Sequence, residues 1–99
     1  MQINKYANLE EVKTNTAIQR GFIPAILPDS AYDIVESHDL DTITIFGSFK
    51  YKEKDEETFI QNLTDLNDAD HMLGWKDFLF KVDKNLNQVK FMKKPSLTQ

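Results

Sequence analysis

Four side chains that could do chemistry lie close together in one short segment: Glu36, His38, Asp39 and Asp41. Glu36 and His38 are alternate residues, so a strand would place both on one face, near enough to share a proton. In a catalytic interpretation, His38 is a general base and Glu36 orients its imidazole. In a metal-site interpretation, Glu36, His38 and Asp41 are the ligands of a cation that accepts nitrogen and oxygen donors.

A structural interpretation of the same segment competes with both. Aspartate at a hairpin corner accepts hydrogen bonds from the amides that follow it, and Thr42 can do the same. Glu36 then pairs with an inward-facing His38. The segment has no second histidine nearby, no serine or cysteine nucleophile motif and no glycine-rich loop. We therefore favour the structural interpretation and predict no catalytic residue, no metal site and no cofactor.

A second candidate is the stretch "NDADHMLGW", residues 67–75. Asp68, Asp70 and His71 could coordinate a cation, but their spacing and the missing distal glutamate do not match a calcium loop. Met72 and Trp75 suit either a plug that closes the core or an anchor for a partner protein. We favour the core plug.

The composition limits the classes of function. A chain of 99 residues predicts one domain, 1–99, with an ordered core of about 6–93 and a frayed tail at 94–99. The net charge of −4 argues against nucleic acid or an anionic membrane as the partner. The absence of cysteine excludes disulfides and thiolate zinc sites. No apolar run approaches the ~20 residues of a membrane span, which predicts a soluble, cytoplasmic chain, or an envelope protein if an export signal has been trimmed.

The pattern of apolar residues predicts the elements. Asn8 suits the N-cap of a helix over 9–20, with Gly21 at its C-terminal end. The segments "AYDIVESH" and "TITIFGSFKY" alternate with a period of two and predict a β-hairpin. A second helix over 56–66 and a second hairpin, "DFLFKV" with "NQVKFMK", follow. The predicted fold is α+β: a two-layer sandwich in the order helix-strand-strand-helix-strand-strand, with an antiparallel sheet.

The same patterns predict which residues face inward. In the first hairpin, Tyr32, Ile34, Glu36 and His38 should point one way. The segment "FIPAILP" should be an extended connector, because Pro24 and Pro28 interrupt helix, and it should cover the open side of the core. The second hairpin has a predicted inward face of five residues: Phe78, Phe80, Val82, Val89 and Phe91.

The stretch "GFIPAILPDSAYDIVESHDLDT" resembles a family of small bacterial domains of unknown function, often found in lipoproteins or membrane-anchored proteins. The resemblance covers about residues 6–51. Some members of this family resemble the head domain of a small protein encoded beside rearrangement-hotspot toxin loci. The resemblance implies no catalytic residue, but makes an envelope-associated or toxin-neutralising role an expectation. The signature residues that carry it are Gly21, Phe22, Pro24, Pro28, Ser30, Ala31, Ile34, Glu36, His38, Asp41 and Thr42.

The leading expectation for function is a non-catalytic protein-interaction or accessory domain, inhibitory or immunity-like, whose partner is another protein. Its acidic surface would guide association with a basic partner. The alternatives are an acid–base or metal-dependent enzyme centred on Glu36 and His38, and a sensor head domain that binds a small ligand beneath the connector. The candidate partner-binding residues are Tyr32, Phe46, Trp75, Glu56 and Glu57.

Overall fold

Seven antiparallel strands form one sheet in the computed structural model, which describes residues 2–39, 44–66 and 72–93. Their order across the sheet is β1-β2-β3-β7-β6-β5-β4. Helices α1 (Leu9–Thr14) and α2 (Glu56–Gln61) accompany the sheet, and a 3-10 turn at Glu53–Asp55 leads into α2. The strands are β1 Gln2–Asn8, β2 Tyr32–Asp39, β3 Thr44–Lys50, β4 Thr64–Asp65, β5 Leu73–Trp75, β6 Phe78–Asp83 and β7 Gln88–Lys93.

One face of the sheet, here called the inner face, carries the core. Alternate residues of each strand point to this face, and β3, β6 and β7 place Phe49, Phe80 and Phe91 there. Phe59 of α2 packs edge-on against both Phe49 and Phe80, with ring centroids 5.7 and 5.9 Å apart. Val12 of α1 is also fully buried. The helices therefore cover the inner face and leave the other face of the sheet without a helix in the described residues.

The predicted α+β sandwich is wrong. Its antiparallel sheet was expected to contain four strands covered by two long helices, whereas the described chain is mostly strand and its two α-helices have six residues each. Two further strands, β4 and β5, extend the sheet beyond β6, and β1 extends it beyond β2. The wide sheet supplies most of the regular structure, and the two short helices cover its inner face together with residues such as Ile23 and Leu27.

Helix α1 begins where the sequence predicts but ends six residues early. The Asn8 side chain accepts a hydrogen bond from the backbone of Glu11, as expected of an N-cap. Beyond Thr14 the polar side chains bond backward instead, with Asn15 Nδ2 donating to the Glu11 carbonyl. Thr16 then takes a φ of 57°, which ends the helical path. Turns follow as far as Gly21, whose φ of 81° suits glycine.

Helix α2 also ends earlier than predicted, at Gln61 rather than 66. Asn62 caps it and donates its side-chain amide to the carbonyl of Thr58. Leu63 still packs on the core, so its apolar character reflects burial and not helical structure. The next residues, Thr64 and Asp65, pair with β5.

The connector "FIPAILP" is buried as predicted but is not extended. Most of residues 21–30 lie in turns and bends, and Ile23, Pro24 and Leu27 are buried in the core. The two prolines exclude helix without imposing a straight path. The connector thus completes the cover of the inner face beside α1.

Most predicted strand faces are confirmed. Ile34, Glu36 and His38 all lie on the inner face of β2 and are buried. Tyr32 is the exception and is 39% exposed. The β2–β3 register shifts between Tyr32 and Val35, where Asp33 has a φ of 48°, and this irregularity turns Tyr32 away from the core. In the second hairpin, the five predicted inward residues are buried or half-buried.

Some predictions fall outside the described residues. They concern the hairpin corner with Asp41 and Thr42, the candidate cation ligands Asp68, Asp70 and His71, and the tail 94–99. Within the described segments, no helix is both long and apolar enough to cross a membrane.

Candidate functional site: a buried glutamate–histidine pair

Strand β2 brings Glu36 and His38 together on the inner face. The distance from His38 Nδ1 to Glu36 Oε2 is 2.6 Å, a short hydrogen bond. Glu36 is 0% and His38 5% exposed. The period of two in β2 therefore aligns the pair as the sequence predicts, and the surrounding structure then encloses it.

Two neighbouring elements complete the environment of the pair. Asn4 of β1 donates its side-chain amide to the second carboxylate oxygen, Glu36 Oε1, over 3.0 Å. Phe22 of the connector stacks on the His38 ring, with centroids 4.1 Å apart and planes inclined by 3°. Each oxygen of the Glu36 carboxylate thus has its own partner, which burial of such a group requires.

Gly47 of β3 lies opposite Glu36 and makes this close arrangement possible. A Cβ atom at position 47 would overlap the carbonyl oxygen of Val35 and lie 2.6 Å from a ring carbon of Phe91. Only glycine leaves enough room for the Phe91 ring here. The third strand therefore supplies space for the site and not a functional group.

The Glu36 carboxylate affects the pKa of a nearby tyrosine, Tyr6. Burial and the Glu36 carboxylate raise the pKa of Tyr6, and the Arg20 guanidinium lowers it in part. Arg20 lies 5.3 Å from the centroid of the Phe22 ring that stacks on His38. Arg20 thus places a positive charge close to an otherwise acidic and apolar site.

The pair has the hydrogen bond of a general base with its orienting carboxylate but lacks access. A general base must come within about 3 Å of the proton it removes, and Phe22 covers the His38 ring. No group of three or more His, Cys, Asp or Glu side chains in the described segments could hold a metal ion. The geometry suits a polar link between β1, β2 and the connector.

The other signature residues within the described segments have structural contacts of their own. Ser30 joins two elements, because its hydroxyl accepts from the amide of Lys52 and its own amide donates to Asp55 Oδ2. Ala31 and Ile34 are buried in the core. Gly21 receives a bond at its carbonyl from Lys93 Nζ, 3.4 Å away. The structure therefore gives backbone or packing contacts to these signature residues.

The candidate partner-binding residues are not brought together. Phe46, which is 41% exposed, lies on the outer face of the sheet, opposite the core. Trp75 packs against the core at its edge, with Lys76 Nζ 4.9 Å from its ring centroid. Glu56 accepts a 2.6 Å hydrogen bond from the buried Tyr51, and Glu57 lies on α2. These residues do not form one surface.

Asn4 was missed by the sequence reasoning. It lies in "QINKYAN", where the only buried residue is Tyr6, so the strand carries almost no apolar signal. The alternation of Ile3 and Lys5 with Asn4 and Tyr6 was the available clue. Strand β1 contributes a polar partner to a polar site, a role that hydrophobic periodicity does not detect.

Residues 1–50 match a family model described as the YbbD head domain. Comparisons with curated proteins and with solved structures found no match. The matched residues run from the chain start to the end of β3 and include Glu36 and His38. The resemblance to a small bacterial head domain is thereby confirmed, while its detailed motif and lipoprotein context remain predictions. With just over half of its 99 residues matched, the chain belongs to the YbbD head domain family.

Proposed function

We propose that this chain is a non-catalytic protein-interaction domain that binds its partner through the outer face of the sheet. The observation that carries the proposal is the exposure of large apolar side chains there. Ile3, Phe46 and Met92 are 62%, 41% and 38% exposed. Adjacent apolar side chains on one surface commonly mark an interaction site.

A groove on the same face supports this function. It has a volume of about 280 Å³, and Phe46, Leu79 and Met92 are among the residues that line it. A protein side chain can fill such a groove and anchor an interface at its centre. The partner would thus find both apolar surface and a recess.

Catalysis by Glu36 and His38 is the weaker alternative. Both side chains are enclosed and hydrogen-bonded to each other, and a substrate would have to displace Phe22. An accessory domain within an envelope or toxin-associated protein, as the family resemblance implies, fits better with a buried structural pair.

A small-ligand site beneath the connector is the second candidate. A groove of about 210 Å³ lies between the connector and α2, with Ile26, Leu27 and Phe59 in its lining. This volume is below the roughly 300–1,000 Å³ of most ligand pockets. We therefore rank ligand binding below protein binding.

The expected acidic surface lies away from the outer face. Its residues belong to the helices, the connector and the loop before α2, which are on the covered side of the sheet. The proposed contact on the outer face therefore does not use this acidic surface. The residues are Glu10, Glu11, Asp29, Glu53, Asp55, Glu56 and Glu57; Asp33, the second residue of β2, differs in forming a salt bridge with Lys50 of β3.

The experiment is affinity capture from an extract of the source organism with three immobilised proteins: wild type, Phe46→Asp and Ala25→Asp. Ala25 is exposed in the connector, on the covered side of the sheet, and serves as the matched control. We expect a protein retained by the wild type and Ala25→Asp to be lost from Phe46→Asp by about tenfold or more. Mass spectrometry identifies it, and titration of the purified pair confirms the loss.

Thermal melting of each variant shows that it is folded. Equal retention by the wild type and folded Phe46→Asp would contradict the proposal. Loss from both variants would also contradict it, because the effect would not be specific to the outer face.

A further inference from the structure

The strand register arranges the outer face into two parallel rows. Directly paired residues of neighbouring strands lie side by side on one face. The first row is mainly apolar and crosses five strands in the order Ile3, Ser37, Phe46, Met92 and Leu79. The second row lies two residues along each strand, in the order Lys5, Val35, Ser48, Lys90 and Lys81.

The second row is cationic although the chain is acidic overall, and Asp39 and Asp83 lie on the same face only beyond the two rows. Lys5, Lys81 and Lys90 are exposed, and neither row contains an aspartate or glutamate. None of the three lysines forms a salt bridge with an acidic side chain of the described residues; the one Lys–Asp bridge there joins Lys50 to Asp33. The lysines thus face solvent beside an apolar row.

Lys81 and Lys90 are direct cross-strand partners in β6 and β7. Like charges directly opposite each other destabilise a strand pair. The two charges oppose this strand pairing, and an anionic group placed over both lysines would convert the repulsion into attraction. The charge pattern therefore points to a negatively charged occupant.

We infer that the outer face binds an acidic amphipathic segment of a partner protein. The apolar side of this segment would lie on the first row, which contains Phe46, and its carboxylates on the second row, which contains the lysines. This inference rests on the proposed function and adds the chemistry of the partner. With strands ~4.8 Å apart, the row from Ile3 to Leu79 spans about 19 Å. A helix of about 13 residues has that length.

Other anionic occupants fit less well. Attachment to an anionic membrane commonly uses clusters of four to eight basic residues, and these rows contain three. Single-stranded nucleic acid requires several aromatic side chains on which successive bases can stack, whereas Phe46 is the one aromatic residue in the two rows. A second copy placing its acidic helical side here would be a head-to-tail contact that need not close.

The probe is a fluorescein-labelled synthetic helical peptide of about 18 residues, with leucines on one side and glutamates along one flank. A second peptide has glutamine in place of every glutamate. Fluorescence anisotropy gives Kd for wild type, Phe46→Asp, Lys81→Glu and Lys13→Glu at low and high salt. Lys13, exposed at the end of α1 on the covered side, is the matched charge control.

We expect the glutamate peptide to bind the wild type and Lys13→Glu alike, and more weakly at high salt. Lys81→Glu should weaken binding by about tenfold. The same variant should melt at a higher temperature than the wild type, because the substitution places a carboxylate opposite Lys90. Weaker binding by a more stable variant excludes unfolding as the cause.

Equal affinity for the glutamine peptide would overturn the acidic preference and leave the proposed function intact. If the peptide does not bind and the protein sediments with vesicles of phosphatidylcholine and phosphatidylglycerol, membrane attachment would replace this inference. Concentration-dependent self-association that Lys81→Glu abolishes, measured by sedimentation velocity, would replace it with a second copy. Loss of the captured partner from Phe46→Asp but not from Lys81→Glu would overturn this inference alone.

Discussion

At the scale of single residues, the two side chains whose types most suggest catalysis, Glu36 and His38, stabilise the fold. Glu36 and His38 have the residue types and the 2.6 Å separation of an acid–base pair, yet both are enclosed. Asn4 occupies the remaining carboxylate oxygen and Phe22 covers the imidazole. The chemistry of the pair is thus used to join β1, β2 and the connector.

The pair can be tested by a double-mutant cycle. We expect His38→Ala to lower the free energy of unfolding by about 3–5 kcal/mol, because it leaves Glu36 buried with one partner fewer. Glu36→Ala should also destabilise. The double variant should lose less than the sum of the two, with a coupling of about 0.5–3 kcal/mol in urea unfolding. Strict additivity, or a His38→Ala protein as stable as the wild type, would argue against the structural role.

Tyr51 gives a pH-dependent prediction. Burial and its hydrogen bond to Glu56 raise the pKa of Tyr51 well above the ordinary value. Above about pH 10 the unfolded chain loses this proton while the folded protein keeps it, so stability falls as the pH rises. We expect Tyr51→Phe to lower stability at neutral pH by about 1 kcal/mol and to reduce the alkaline slope by up to about 1.4 kcal/mol per pH unit.

Urea unfolding at about pH 8 and at several values above 10 measures that slope. Tyr32→Phe is the control, since Tyr32 is exposed as the first residue of β2. Its profile should follow that of the wild type. An unchanged slope in Tyr51→Phe would show that another group causes the alkaline loss.

At the scale of elements, the sequence predicts strand faces well and helix lengths poorly. The period of two places Phe49 and Phe80 inside because alternation is a direct consequence of strand geometry. Helix α1 stops at Thr14 because local side-chain hydrogen bonds and the positive φ of Thr16 outweigh an apolar pattern that continues to Ala17. Ala17 is nevertheless buried, so the apolar pattern indicates burial and not helix.

The central glycine of β3 gives an element-scale prediction. Gly47→Ala should destabilise by about 1–3 kcal/mol, because the added methyl overlaps the Val35 carbonyl and crowds Phe91. Gly74→Ala is the control: its Cβ would lie 3.3 Å from the end of the Leu66 side chain, which can move. We expect less than about 1 kcal/mol there. Equal losses in urea unfolding would contradict the special role of Gly47.

At the scale of the whole molecule, the sheet consists of two groups of strands that are local in sequence. Strands β1, β2 and β3 form one group, and β4 to β7 form the other. They meet at the β3–β7 pairing, here called the seam, and Phe59 packs against both sides of it. The first group coincides with the region matched by the family model, which ends with β3 at Lys50.

The overall arrangement could not be read from the sequence, because the seam pairs residues that are distant in the chain. Lys50 lies opposite Gln88, and the alternation of apolar residues within a strand does not identify the strand that pairs with it. The two hairpins were predictable from local pattern, whereas their union into one sheet depends on the complementary shapes of Gly47 and Phe91.

The seam also has a consequence for the folding reaction. The β2–β3 and β6–β7 pairings connect strands that follow one another, so they require only short loops to close. The seam requires the chain between Lys50 and Gln88 to be looped out before its first hydrogen bond forms. Such distant contacts slow folding and leave unpaired edges exposed meanwhile. The formation of the seam, and not of either hairpin, should therefore limit the rate at which this domain folds.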